Sequence, residues 1–176
     1  MNLSRRLALA LALAAILPAA DLTLAVDLRS LPSEHLVHAE LELPATTTLR
    51  YPRWVPGTHA PSGPIRNLVN LAVSTVDGAA VAWERDAQET DRFHLRPPPE
   101  ATRLRVRLSY LANQSDENSE GVDVTSTATA AVLNWNCCLL YPESAAPDRL
   151  TCAARATLPP GWDWGAALSG HADGDA

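Results

Sequence analysis

The chain contains no lysine, and all 14 of its basic residues are arginine. They are scattered, and the skew reads as coding bias in a GC-rich genome. Against 20 acidic residues they leave a formal net charge of −6, which excludes a nucleic-acid footprint. Long apolar runs are scarce too. The unbroken run from Leu7 to Leu17 is about half of the roughly 20 residues that a spanning helix needs, so it is not a membrane anchor. Arg5 and Arg6 precede it and Pro18-Ala19-Ala20 follows. Residues 1–20 therefore read as a secretory signal peptide, and the protein is expected in the periplasm or outside the cell.

Chemistry-bearing motifs are equally sparse. The three cysteines, Cys137, Cys138 and Cys152, have no zinc-type spacing. Export permits a disulfide. Neighbours on a strand point to opposite faces, so one of the adjacent pair could bridge to Cys152. Cys138 with Cys152 is the candidate, against a reading of all three as small buried hydrophobes. No Gly-x-Ser-x-Gly elbow is present, and Cys138 sits beside Leu139 in an apolar stretch that would leave its thiol inert. There is no internal repeat, no low-complexity linker and no amphipathic helix beyond the leader.

What is present is period-two alternation. Leu22, Leu24, Val26 and Leu28 alternate with small or polar residues. So do Val37 to Leu43, Leu104 to Tyr110, and Cys152 to Leu158. Each pattern predicts a strand with one face in a core and the other in water. Shorter strands are predicted over Leu71 to Val76, Arg92 to Arg96 and Val132 to Tyr141. Asp77-Gly78 is a hairpin turn signal, with Val81 to Glu84 as the return strand. Prolines 97–99 close one element, and Asn113 to Gly121 is a polar loop. The fold class is therefore all-β, an antiparallel β-sandwich of two packed sheets preceded by a signal peptide. The sandwich is expected over 21–168, and 169–176 reads as a disordered tail or truncated junction.

The segment Tyr51 to Val69 is a different kind of object. Pro52, Pro56, Pro61 and Pro64 fix φ and remove donors, while Gly57 and Gly63 allow unusual backbone angles. It is a stiffened loop, expected to carry Trp54 as its apolar anchor. This loop resembles that in the N-terminal domain of the glycyl aminopeptidase-type zinc peptidases, metallopeptidase family 61. Trp54, Pro56, Gly57 and Thr58 fit the first part of that family's pattern, and Arg66, Asn67, Leu68 and Val69 fit the second. His59 stands where tyrosine is usual, and Ser62 near where an arginine is usual. Asn134, Leu140, Tyr141 and Pro142 resemble a later run of the same domain, and Leu158 to Leu168 its Leu-Pro-x-Gly-Trp ending. The similarity runs from about Val37 to Leu168.

In that family a zinc-binding catalytic domain with His-Glu-x-x-His follows. This chain carries no such motif. The resemblance implies a non-catalytic N-terminal domain that packs on a metallopeptidase catalytic domain absent from this chain. It would pack in cis if the chain is a fragment, and would shape the cleft of that domain. Zinc would belong to the missing domain, with no cofactor, metal or catalytic residue here, and peptide substrate would be met only indirectly. Trp54, Pro56, Gly57, Thr58, His59, Arg66, Asn67 and Asn134 are the residues expected to touch the cleft or the other domain. The alternative is a free-standing periplasmic module for glycan or protein, which a coplanar exposed tryptophan pair among Trp54, Trp83, Trp135, Trp162 and Trp164 would favour. His35, His38, His59, His94 and His171 read as surface or loop side chains, and Glu40 and Glu42 as a solvated strand face.

Overall fold

The computed structural model describes residues 20–54, 60, 61, 63–114, 123–167 and 170. Residues 1–19 (most of the expected signal peptide), the residues after 170, and Pro56, Gly57, Thr58 and His59 of the loop lie outside them.

The strands follow the alternation. They are β1 (Leu22–Asp27), β2 (Leu36–Pro44), β3 (Thr48–Arg50), β4 (Leu68–Thr75), β5 (Ala82–Arg85), β6 (Arg92–Arg96), β7 (Arg103–Leu111), β8 (Asn113–Gln114), β9 (Thr125–Ser126), β10 (Ala131–Val132), β11 (Tyr141–Pro142) and β12 (Cys152–Thr157). A five-stranded sheet runs β12-β1-β2-β7-β4, a four-stranded sheet β11-β3-β6-β5, and a small one β10-β9-β8. Leu22, Leu24 and Val26 of β1, Val37, Leu41 and Leu43 of β2, and Leu104, Val106 and Leu108 of β7 are buried against Leu49, Phe93 and Leu95 of the smaller sheet. The odd and even positions thus divide between core and water, as the period of two requires.

Most pairings are antiparallel, but β12 lies parallel to β1, and β9 parallel to β8. The first parallel pair arises because nearly the whole sandwich intervenes between its two strands, so the chain can re-enter the sheet in either direction. Three expectations are corrected. Gly78, at φ +101, does turn the chain after β4. The return strand then leaves that sheet: a single bridge, Ser74 to Ala80, joins them, and β5 pairs with β6. Val132 to Tyr141 is not one strand. It breaks into β10, a 3-10 turn over Trp135–Cys138 and β11, because the Cys137 amide bonds back to the Asn134 carbonyl at 2.9 Å. Finally, β12 is exposed on both faces although its sequence alternates like a half-buried strand.

In β4 the register slips between Val69 and Ala72, and Asn70 takes φ +55 there. The one short α-helix among the described residues, α1 (Leu31–Glu34), ends in His35 at φ +54. Among the described residues no helix is long and apolar enough to cross a membrane.

Candidate functional site

Both ends of the proline-rich loop are fixed before its tip departs. The Gly63 amide bonds the Arg53 carbonyl at 2.8 Å and pinches the base shut. A Cβ on Gly63 would stand 2.1 Å from the Pro52 carbonyl oxygen, so only glycine fits this close approach. On one side of the base Tyr51 is fully buried. On the other a 3-10 turn, Ile65–Asn67, leads into β4 and buries Asn67.

Asn67 points at a carboxylate that sequence reasoning missed. Asp123 is buried behind the loop, and four donors converge on it. The Tyr110 hydroxyl donates to one oxygen, which also accepts from the Val124 amide at 2.8 Å. Asn67 donates to the other at 3.3 Å, and Asn113 donates there too. Asn134 donates to the Asp123 backbone carbonyl at 2.7 Å. The Tyr110 oxygen also lies 3.1 Å from the Pro64 carbonyl inside the loop. One residue thus ties together the loop's exit, the end of β7, the start of β8 and the turn carrying Cys137. A buried carboxylate held by neutral donors in this way is satisfied by hydrogen bonds rather than by a counter-charge.

The surrounding groups are chemically quiet. Burial, reinforced by the Asp123 contact, pushes the Tyr110 phenol far above its ordinary value. Burial likewise raises Tyr51. It pushes the Cys137 thiol up to about 12 and raises that of Cys138. None of these groups ionises near neutral pH, so the cluster can hold shape but is not poised to move a proton.

Beside the loop base the smaller sheet carries an ion cluster. Arg50 pairs with Asp91 at 2.9 Å and with Glu89 and Glu143 at 2.7 Å each. Arg92 meets Glu89 at 2.9 Å and Glu143 at 2.7 Å, and Arg53 approaches Asp91 at 3.6 Å. A cleft of about 140 Å³ opens between Arg53, Gly63, Ile65 and Asp91. A broader concavity of about 590 Å³ lies on the outer face of the large sheet, among His38, Asn70, Arg107, Ser109 and Arg155.

Of the expected contact residues, the structure joins Asn67 and Asn134 at Asp123. Arg66 is exposed and stands apart from that network. Trp54 is no anchor, because 69% of it is exposed. The loop needs no apolar plug once Tyr51 and Asn67 hold its two ends. Sequence offered one faint signal for Asp123: an acidic residue between Val122 and Val124, just past a polar loop.

The Cys138–Cys152 disulfide is not formed. None of the three cysteines is in a disulfide: Cys137 and Cys138 are buried within the 3-10 turn, and Cys152 is exposed on the outermost strand. Opposite-face alternation does not govern a 3-10 turn, so both members of the pair go inward. A thiol-reactive dye should therefore label Cys152 in the folded protein, and Cys137 and Cys138 only on unfolding. Protection of Cys152 in the native chain would contradict this arrangement.

His35 bonds Ser126 at 3.1 Å, His38 bonds Ser109 at 3.0 Å and His94 bonds Asp86 at 2.9 Å. Among the described residues no group of three or more histidine, cysteine or acidic side chains is arranged to hold a metal ion.

The described residues thus form a β-rich sandwich with a loop pinned at its base by Gly63 and Asn67. The family profile of the peptidase M61 N-terminal domain matches residues 23–176, and the chain belongs to that family. It is also similar in fold to a crystal structure of an aminopeptidase N family protein from Idiomarina loihiensis, with a TM-score of 0.64 at 16% identity. The likeness covers 79% of this chain and 22% of that one. No curated protein matches the chain.

Proposed function

We propose that this domain is non-catalytic by itself and packs on a zinc-dependent M61 catalytic domain, where it shapes the mouth of the cleft. It would act after export to the periplasm or beyond the cell, and would meet peptide only through that partner. One observation carries the reading. The base of the Tyr51–Val69 loop is locked by Gly63, Asn67 and Asp123, while Trp54 at its entry is thrown outward with 69% of its surface exposed. A large aromatic on a rigid mount supplies contact area at low entropic cost, which suits a domain interface. The glycan alternative gains nothing comparable. Among the described residues the one aromatic ring pair is Trp83 edge-on to Phe93 at 5.8 Å, and it involves no second tryptophan.

The test uses the chain together with the M61 catalytic domain of the same organism. Binding is expected, with a change in the KM for peptide. Trp54→Ala should weaken binding at least ~10-fold, as loss of an aromatic anchor does, and leave the unfolding midpoint unchanged. A chain that neither binds the catalytic domain nor alters its kinetics would refute the reading.

A further inference from the structure

We infer that the free edge of β12 accepts an extended segment of the catalytic domain as an added strand of the five-stranded sheet. This rests on the packing partner proposed above and goes beyond it by naming the surface and what fits it.

The register determines which groups are available. β12 pairs with β1 from Leu22↔Cys152 to Asp27↔Thr157. The Leu22 amide bonds the Thr151 carbonyl at 3.2 Å and the Leu28 amide bonds that of Thr157 at 2.9 Å. In a parallel ladder alternate residues turn both backbone groups to one neighbour. The odd residues of β12 therefore serve β1, and the N–H and C=O of Cys152, Ala154 and Ala156 point away from the sheet. A row of such groups at an edge is a template for another strand.

The side chains say what that strand carries. Cys152, Ala154 and Ala156 sit level with Leu22, Leu24 and Val26, on the core side of the sheet. The three partners are buried, yet every residue of β12 is exposed. The core stops at β1, and β12 offers only small side chains to extend it. A segment with large apolar residues at alternate positions would complete that layer. On the outer side Arg155 lines the concave face, and its guanidinium makes no ion pair or hydrogen bond among the described residues. A carboxylate on the incoming strand would meet it. A second copy of this chain fits less well. It would bring another row of alanines, a second Arg155 and a like net charge of −6.

The experiment follows amide hydrogen exchange in the chain with and without the M61 catalytic domain. The amides of Cys152, Ala154 and Ala156 should exchange fast alone and become protected in the complex. Ala154→Pro removes an N–H that points away from β1, so the fold should persist by circular dichroism while affinity falls at least ~10-fold. Ala153→Pro, which removes an N–H directed at β1, should instead loosen the strand itself. Arg155→Glu should also weaken the complex. Binding with these three amides still exchanging freely would overturn the inference and leave the packing role standing. Protection that rises with the concentration of the chain alone would mean a second copy occupies the edge, and would overturn it too. Failure to bind at all would remove the packing role and this inference with it.

Discussion

Asp123→Ala should destabilise the domain by ~3 kcal/mol, the scale of stranding several buried donors at once, a large share of the 5–15 kcal/mol that holds a domain of this size together. The substitution is small and removes little apolar area, so the loss is polar in origin. It strands the Tyr110 hydroxyl, the Asn67 and Asn113 amides and the Val124 N–H, which all converge on that carboxylate. Water cannot rescue them without opening the turn that carries Asn134. Asp123→Asn should cost less, since one oxygen remains to accept, although its new amide faces the donors of Asn67 and Asn113. Tyr110→Phe should cost least, about 1 kcal/mol, because only one hydroxyl is lost. Urea unfolding of the three variants gives the order. The Asp123→Ala and Tyr110→Phe pair should also be non-additive, since each removes the other's partner. A loss below ~1 kcal/mol for Asp123→Ala would mean that the cluster is solvated and does not pin the loop.

This cluster also marks where sequence reading stopped. The β1, β2 and β7 strands were legible because each alternates over a full length with one face in the core, and a period of two admits few other readings. Asn67 and Asn134 were legible as residues of interest, through resemblance, but not as partners. Their meeting point is a carboxylate reached from loops far apart in sequence, and no local pattern encodes such a convergence. The turn at Trp135–Cys138 was misread for a related reason. An apolar run flanked by tyrosine and valine has strand composition, yet both cysteines are buried, which alternation forbids. β12 failed in the opposite sense. Its pattern describes a half-buried strand, while burial depends on what lies across from it, and the second sheet does not extend that far. The same gap between pattern and exposure underlies the strand docking proposed for its edge.

Arg50→Met should cost ~3 kcal/mol at pH 7, because it removes one partner of a largely buried ion pair, and part of that cost should vanish in acid. Methionine keeps the apolar stem of the side chain, so packing near the backbone changes little. What is lost is the guanidinium at the centre of Asp91, Glu89 and Glu143. Asp91 suffers most, being buried, with Arg53 at 3.6 Å as its nearest remaining cation. The pH dependence follows from the carboxylates. Arg92 first, and Arg50 with it, hold the Glu143 carboxyl below its ordinary range. The Glu89 amide, His94 and the Gln88 amide do the same to Asp86. A carboxyl depressed in the fold binds fewer protons there than in the unfolded chain. Its stabilisation is therefore complete above the ordinary value, about 4, and is lost as pH falls through the depressed one. The wild-type chain should thus lose stability steadily from about pH 5 downward. Arg50→Met should lose less over that interval, since Glu143 keeps only Arg92. The gap between the urea midpoints of the two proteins should then be smaller at pH 3 than at pH 7. Added salt should narrow it at pH 7 as well, more weakly for Asp91 than for the half-buried Glu89 and the exposed Glu143. An equal gap at both pH values would place the contribution of Arg50 in its hydrocarbon stem rather than in its charge.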